Sequence, residues 1–330
     1  MTGAIRECHD IDGGRFAAEV RASAEPLVIR GFAAHWPLVR LACHDGDALV
    51  ERLRRADNGV AVDAVMVPPL HRGRVTHHED GVGFTFLRNE ITISALLEML
   101  ARYARFESAP AVAIQSAPLA RCAPSLCAEI EPRFIDAQAL PRLWLGNALV
   151  TPAHFDESSN IACVVAGERE FTLFAPEEVG NLYPGPPGRG PAGAPVSLVD
   201  FDAIDAARFP RAAGALARAR RAVLRPGDAI YIPPLWWHRV VSRHRELNLM
   251  INFWWLPANA LPGLEAMQHA ALAFGAMPPA QRAAWQAMFA YWVFAASDDS
   301  RAHLPPPLRE WLAPEEAAAL RARWSGEASV

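Results

Sequence analysis

Two histidines and one aspartate have the residue types and the spacing to hold a single metal ion. His154 and Asp156 stand two apart in Val150-Thr151-Pro152-Ala153-His154-Phe155-Asp156, and His238 closes Pro233-Pro234-Leu235-Trp236-Trp237-His238. On an extended strand, side chains i and i+2 leave the same face, so His154 and Asp156 can reach one ion while Phe155 points away. A third ligand must come from another strand, and His238 follows a strand with a rigid Pro-Pro bend. Two imidazoles and a carboxylate on one face of an ion form the facial triad of non-haem Fe(II) oxygenases, which leaves positions open for a chelating cosubstrate and dioxygen. The same donors also suit zinc, nickel or manganese, although catalytic zinc more often has three protein ligands and one water. A His-x-Asp arises often by chance, and each histidine alone reads as an ordinary strand residue. Three such positions in one set of short strands favour a metal. His77-His78 beside Glu79 and Asp80 reads as a solvated turn, and the remaining histidines have no partner pattern.

The elements that must position these groups are short. Pro26 to Gly31 reads as a buried strand ending in a glycine turn, Val60 to Val67 as a strand stopped by Pro68-Pro69, and Phe84 to Leu87 as another. Ile93 to Arg105 has Leu96, Leu97, Leu100 and Tyr103 at helical spacing, with Thr92 or Ser94 able to cap it. Ala111 to Gln115 returns to strand. From Leu143 the pattern is strands split by turns: Leu143 to Thr151, a hairpin of Asn160 to Val165 and Glu170 to Phe174 across Ala166-Gly167-Glu168, Ala229 to Ile232, His238 to Ser242, and Leu247 to Trp254. Many short strands with Gly/Pro turns argue for a mainly β fold with flanking helices, a double-stranded β-helix or cupin jelly roll. The Pro/Gly-rich stretch Tyr183 to Pro195 reads equally as a surface loop or as a lid over the metal. After Pro257 the sequence turns helical, with Pro278-Pro279 at a helix start and Trp285, Met288, Phe289 and Trp292 at i, i+3, i+4, i+7. That stripe suits packing on the sheet or a dimer interface. Three regions follow: residues 1–140 flanking the barrel, 141–256 as its core, and 257–330 as a helical extension.

Composition bounds the partners. A net charge of −4 with no basic run excludes electrostatic recruitment to nucleic acid or anionic membrane. Lysine is absent, so every fixed side-chain cation is an arginine. The five cysteines are scattered and include no C-x-x-C pair, as expected of reduced thiols in a cytoplasmic protein. The first ten residues have no apolar centre, and the apolar stretch around Ala287 to Ala296 is too short to span a bilayer.

The segments Val150 to Glu157, Leu182-Tyr183-Pro184, Val199 to Asp202, Arg208-Phe209-Pro210, Pro226-Gly227-Asp228, Tyr231-Ile232-Pro233 and Asn252-Phe253-Trp254 together resemble the jumonji-C and cupin-like oxygenases. Among these they are most similar to the asparaginyl hydroxylases that inhibit hypoxia-inducible factor. Pro26 to Pro37 also resembles the N-terminal part of cupin-like members. The resemblance implies Fe(II) as cofactor, 2-oxoglutarate as cosubstrate, and hydroxylation of a C–H bond. It assigns His154, Asp156 and His238 as iron ligands and Thr151 as a hydroxyl touching 2-oxoglutarate. Asn160 and Asn252 match amides near cosubstrate and metal, and Trp254 an aromatic wall of that pocket. Where the family usually has a lysine for the distal carboxylate, Arg169 stands, keeping the charge in a longer, planar, fork-shaped group. A tyrosine that helps hold the cosubstrate in the asparaginyl hydroxylases is matched here by Ala113. The expected substrate is a protein or peptide side chain; a small metabolite, or a non-catalytic metal-binding cupin, are the alternatives. A homodimer through the C-terminal helices is also expected.

Overall fold

Short runs of Val, Ile, Leu, Phe and Trp between Gly/Pro turns build the chain into two sheets. The structure is a computed structural model that describes residues 3–9, 11–78, 80–131, 133, 135, 138–257, 260, 262–294, 304–305 and 314–324. Its strands are β1 (Gly3–Ala4), β2 (Arg6–Cys8), β3 (Leu27–Ile29), β4 (Val62–Val67), β5 (Leu87–Ile91), β6 (Ala111–Pro118) and β7 (Pro141–Gly146), followed by β8 (Val150–His154), β9 (Ser159–Ala166), β10 (Arg169–Phe174), β11 (Arg220–Leu224), β12 (Ala229–Ile232), β13 (Trp237–Ser242) and β14 (Asn248–Trp255). The smaller sheet runs β1-β11-β10-β13-β8 and the larger β2-β3-β12-β9-β14-β7-β6-β4-β5.

The two sheets face each other across Ala162, Val164, Phe171, Leu173, Ile230 and Val240. The opposite face of the larger sheet carries Ile161, Cys163, Val165 and Ile251, which pack with Leu49, Leu53, Leu96 and Leu97 from the helices Gly46–Ala56 and Ile93–Tyr103. β9 is therefore covered on both faces, which is why it reads as one continuous apolar run. This is the jelly roll with flanking helices that the turn pattern predicts. Thr92 caps its helix as expected, its side chain accepting from the Ala95 N–H.

Three local readings need correction. The expected hairpin of 160–174 is absent: β9 pairs with β12 and β14, while β10 pairs with β11 and β13. The chain instead crosses between sheets at Gly167, whose φ is 76°. The run Leu143 to Thr151 splits into β7 and β8 at Asn147, whose side chain accepts from Val112 N–H and donates to the Pro110 carbonyl. The strand near residue 84 begins at Leu87, because Thr85 turns its hydroxyl to the carbonyls of Arg74 and Thr76.

The chain divides into two compact units, Met1–Pro257 and Ala258–Val330. The second contains the helices Gly263–Phe274, Pro279–Phe289 and Pro314–Trp324, with a π-helical turn at Ala290–Phe294. Within it Phe274 stacks on Trp285 at 4.6 Å and meets Phe289 edge-on at 5.7 Å. Among the described residues, no helix is long and apolar enough to cross a membrane.

Candidate metal centre

Strand register brings the two histidines together. β13 runs antiparallel to β8 with His238 directly opposite His154, and a bulge follows between His238 and Val240. The imidazole centroids are 4.2 Å apart. Asp156 lies just past the end of β8, where its carbonyl accepts from the Leu235 N–H at 2.8 Å and ties the β12–β13 turn to the metal strand. One ligand atom from each of His154, Asp156 and His238 falls within 4.8 Å of the others. His238 Nε2 is 3.6 Å from Asp156 Oδ2.

Both imidazoles are held in the same tautomer. His154 Nδ1 lies 2.9 Å from the Pro152 carbonyl and His238 Nδ1 3.0 Å from that of Trp236. A carbonyl only accepts, so each Nδ1 carries the proton and each Nε2 keeps a lone pair for a metal. Burial, reinforced by His154 and opposed by Asp156, pushes the His238 imidazole down to about 4. It is therefore neutral at ordinary pH, the form that binds a cation.

The carboxylate is oriented by a chain of amides and indoles. Trp254 Nε1 donates to Asp156 Oδ2 at 3.1 Å, and Asn160 approaches the same oxygen at 3.5 Å. Asn252 donates to Asn160 Oδ1 at 3.1 Å, and Trp144 Nε1 donates to Asn252 Oδ1 at 2.8 Å. Trp254, Asn160 and Asn252 thus converge on the metal centre, with Asp156 as their meeting point. Trp144 completes the chain and escapes a reading from sequence, since it lies between Leu143 and Leu145 in an apolar strand. Its alternation with those two core residues is the one signal available.

Thr151 and Arg169 line one narrow cleft with a free volume of about 10 Å³, partly open to solvent and also lined by Ala113 and Trp144. Arg169 is the first residue of β10 and is 7% exposed. Its Nε has no hydrogen-bond partner, and no carboxylate pairs with its guanidinium among the described residues. Burial alone pushes it down to about 10, so it remains a cation at neutral pH. A buried cation without a counter-charge is costly unless a ligand supplies the anion. Arg169 and Thr151 thus fit one carboxylate end of a dicarboxylic 2-oxo acid, and the triad fits a divalent iron.

Comparison with known proteins agrees. A family described as "Cupin-like domain" matches residues 14–260. The chain is 34% identical to lysine-specific demethylase JMJ31 of Arabidopsis thaliana over 38% of this chain and 22% of that one. It is 31% identical to Jumonji C domain-containing protein 5 of Drosophila melanogaster over 48% of this chain and 37% of that one. It is 26% identical to lysine-specific demethylase 8 of Xenopus tropicalis over 70% of this chain and 48% of that one. The chain spans less than half the length of each of these relatives. Fe(II) and 2-oxoglutarate are the cofactor pair of such jumonji-C enzymes, and the donor set found here accommodates both.

Proposed function

This chain belongs to the cupin-like family, and from that premise we propose an Fe(II)- and 2-oxoglutarate-dependent oxygenase that hydroxylates a side chain of a protein or peptide. The observation that carries the proposal is the conjunction of the triad with a buried, unpaired Arg169 in the adjoining cleft. His154, Asp156 and His238 would hold the iron; Arg169 and Thr151 would hold the distal carboxylate of 2-oxoglutarate. When bound, this pair supplies the oxidising power to insert oxygen into a C–H bond.

The chain's own work is placement. Pro152 and Trp236 fix both imidazoles with Nε2 forward. Trp254 and Asn160 hold the carboxylate. Residues 141–256 are taken as the catalytic core, with 1–140 as its flank and 257–330 as an assembly element. Hydroxylation of a side-chain carbon is proposed from the motif resemblance of Val150 to Glu157 and Asn252 to Trp254 alone. The relatives named as demethylases support an N-methyl group as the alternative target, since hydroxylating it releases formaldehyde. Five free cysteines among the described residues agree with a cytoplasmic setting, and the net charge with a protein rather than a nucleic-acid substrate.

The test is titration of anaerobic protein with Fe(II) and 2-oxoglutarate, followed by aerobic turnover. The expected result is one iron per chain and succinate formed. Asp156→Ala and His154→Ala are expected to lose iron while keeping a wild-type circular dichroism spectrum, because neither side chain belongs to the apolar core. Full metal content in either variant, or bound iron with no succinate, overturns the proposal. A mass gain of one oxygen atom on a peptide product, against release of formaldehyde, separates hydroxylation from demethylation.

A further inference from the structure

Side chains on three adjacent strands form a one-way row of hydrogen bonds that ends on the metal carboxylate. In the larger sheet β14 lies between β7 and β9 and runs antiparallel to both. Met250 is paired with Trp144, and Trp254 with Asn160. Asn252, two residues from each, therefore stands diagonally between Trp144 and Asn160 on one face, and diagonal neighbours are within reach of long side chains. The Trp144 indole N–H donates to Asn252 Oδ1 at 2.8 Å, the Asn252 amide donates to Asn160 Oδ1 at 3.1 Å, and the Asn160 amide approaches Asp156 Oδ2 at 3.5 Å.

The two ends decide the direction of the row. An indole N–H only donates and a carboxylate only accepts, whereas a side-chain amide does either, depending on which way it is turned. Asn252 and Asn160 are 1% and 5% exposed, and among the described residues neither amide has another side-chain partner. With the Trp144 N–H in place, Asn252 presents its oxygen to β7 and its nitrogen to Asn160. Asn160 must then present its oxygen to Asn252 and its nitrogen to Asp156. Without that donor both amides can turn over together and keep their mutual bond, which sets the Asn160 oxygen against the Asp156 oxygen. The last link is long, so its sign matters more than its strength: an N–H beside the carboxylate steadies it, and an oxygen there repels it.

We propose that Trp144 is a positioning residue for the metal: its indole N–H sets the polarity of both amides and thereby the orientation of Asp156, although Trp144 itself contacts none of the three ligands. Partners of this outer kind hold ligating carboxylates in place, and their loss costs metal affinity. Trp254 Nε1 holds the same Asp156 oxygen directly at 3.1 Å, so loss of the Trp144 donor is expected to weaken metal binding without abolishing it. The inference rests on the metal-binding function proposed above.

The test is binding of Mn(II), an ion the same donors suit, to the full chain, read from the electron paramagnetic resonance signal of free Mn(II). The wild type, Trp144→Phe, Asn160→Ala and the double variant are compared. Trp144→Phe keeps an aromatic ring and removes the donor; it is expected to weaken Mn(II) binding about tenfold. In the Asn160→Ala background the same change is expected to weaken it no further, because the row is already cut, whereas a role in packing alone costs the same in both backgrounds. Urea midpoints report whether the variants fold. Should one fail, benzothienylalanine at position 144, which puts sulfur in place of the indole N–H in the same shape, or Asn160→Ser replaces it. Unchanged Mn(II) affinity in the folded Trp144 variant overturns the inference, and so does a loss that adds to that of the Asn160 variant. A wild type that binds no Mn(II) overturns the function proposed above and this inference with it.

Discussion

Arg169 is the residue that most distinguishes this site, because its environment favours a ligand over an empty state. The guanidinium is buried and lacks a counter-charge, and burial pushes it down to about 10. Its folded-state value is below its ordinary value, so the charged form is disfavoured by folding, and that cost is fully present at neutral pH. A carboxylate entering the cleft would recover it through a two-pronged, charge-assisted hydrogen bond. Arg169→Met is therefore expected to act in opposite directions on two measurements. In urea unfolding without ligands the variant is more stable than the wild type by about 1–3 kcal/mol, because an unpaired buried charge is gone. In thermal unfolding with saturating 2-oxoglutarate the wild type gains stability by mass action and the variant gains none. A variant that is less stable without ligand, or that keeps the 2-oxoglutarate shift, removes Arg169 from its role as anchor.

Delivery of that side chain is a property of the elements around it. At Gly167 the chain leaves β9 in the larger sheet and enters β10 in the smaller one, in the left-handed region that glycine tolerates best. A Cβ there would stand 2.4 Å from Asn248 Oδ1 and 2.8 Å from the Leu247 carbonyl. Gly167→Ala is accordingly expected to cost about 2–4 kcal/mol through strain and overlap, read by urea unfolding. It is also expected to weaken 2-oxoglutarate binding, because Arg169 begins two residues later. A cost below about 0.5 kcal/mol, the range of neutral surface changes, would show that the crossover tolerates a side chain. The same segment shows what is legible in the sequence. His154, Asp156 and His238 can be read from a period of two and a triad chemistry, and Arg169 only from the family resemblance, as the residue standing where a lysine is usual. Which strands Ala166-Gly167-Glu168 joins cannot be read, because a tight turn between apolar runs looks the same whether the runs pair with each other or with strands far along the chain. Leu87–Ile91 is missed for a different reason: it is an exposed edge strand with no apolar alternation. Trp144 is hidden because its role depends on pairing with β14, a contact across more than a hundred residues.

At the scale of the whole molecule, residues 258–330 pose the remaining question. The helices Gly263–Phe274 and Pro279–Phe289 and the turn Ala290–Phe294 contain no buried side chain. Yet Leu272 is 84% exposed, Phe294 80%, Met288 53% and Trp285 42%. Helices of this length are marginal in water without tertiary cover, and a stripe this apolar marks an interface. We propose a second copy of the chain as its occupant, with packing on the sheet as the alternative. Between Gly263 and Phe294 the only fixed charges are Glu265 and Arg282, so two such surfaces meet without like-charge repulsion, and a two-fold axis lets each stripe cover the other. The full chain is therefore expected to be a dimer by light scattering at micromolar concentration. Trp285→Glu with Phe294→Glu is expected to give a monomer, since a carboxylate buried against aromatic side chains is strongly disfavoured. Its iron content should be unchanged, because His154, Asp156 and His238 all lie in Met1–Pro257. A monomeric wild type discards the dimer, and a variant that still dimerises moves the interface elsewhere on the molecule.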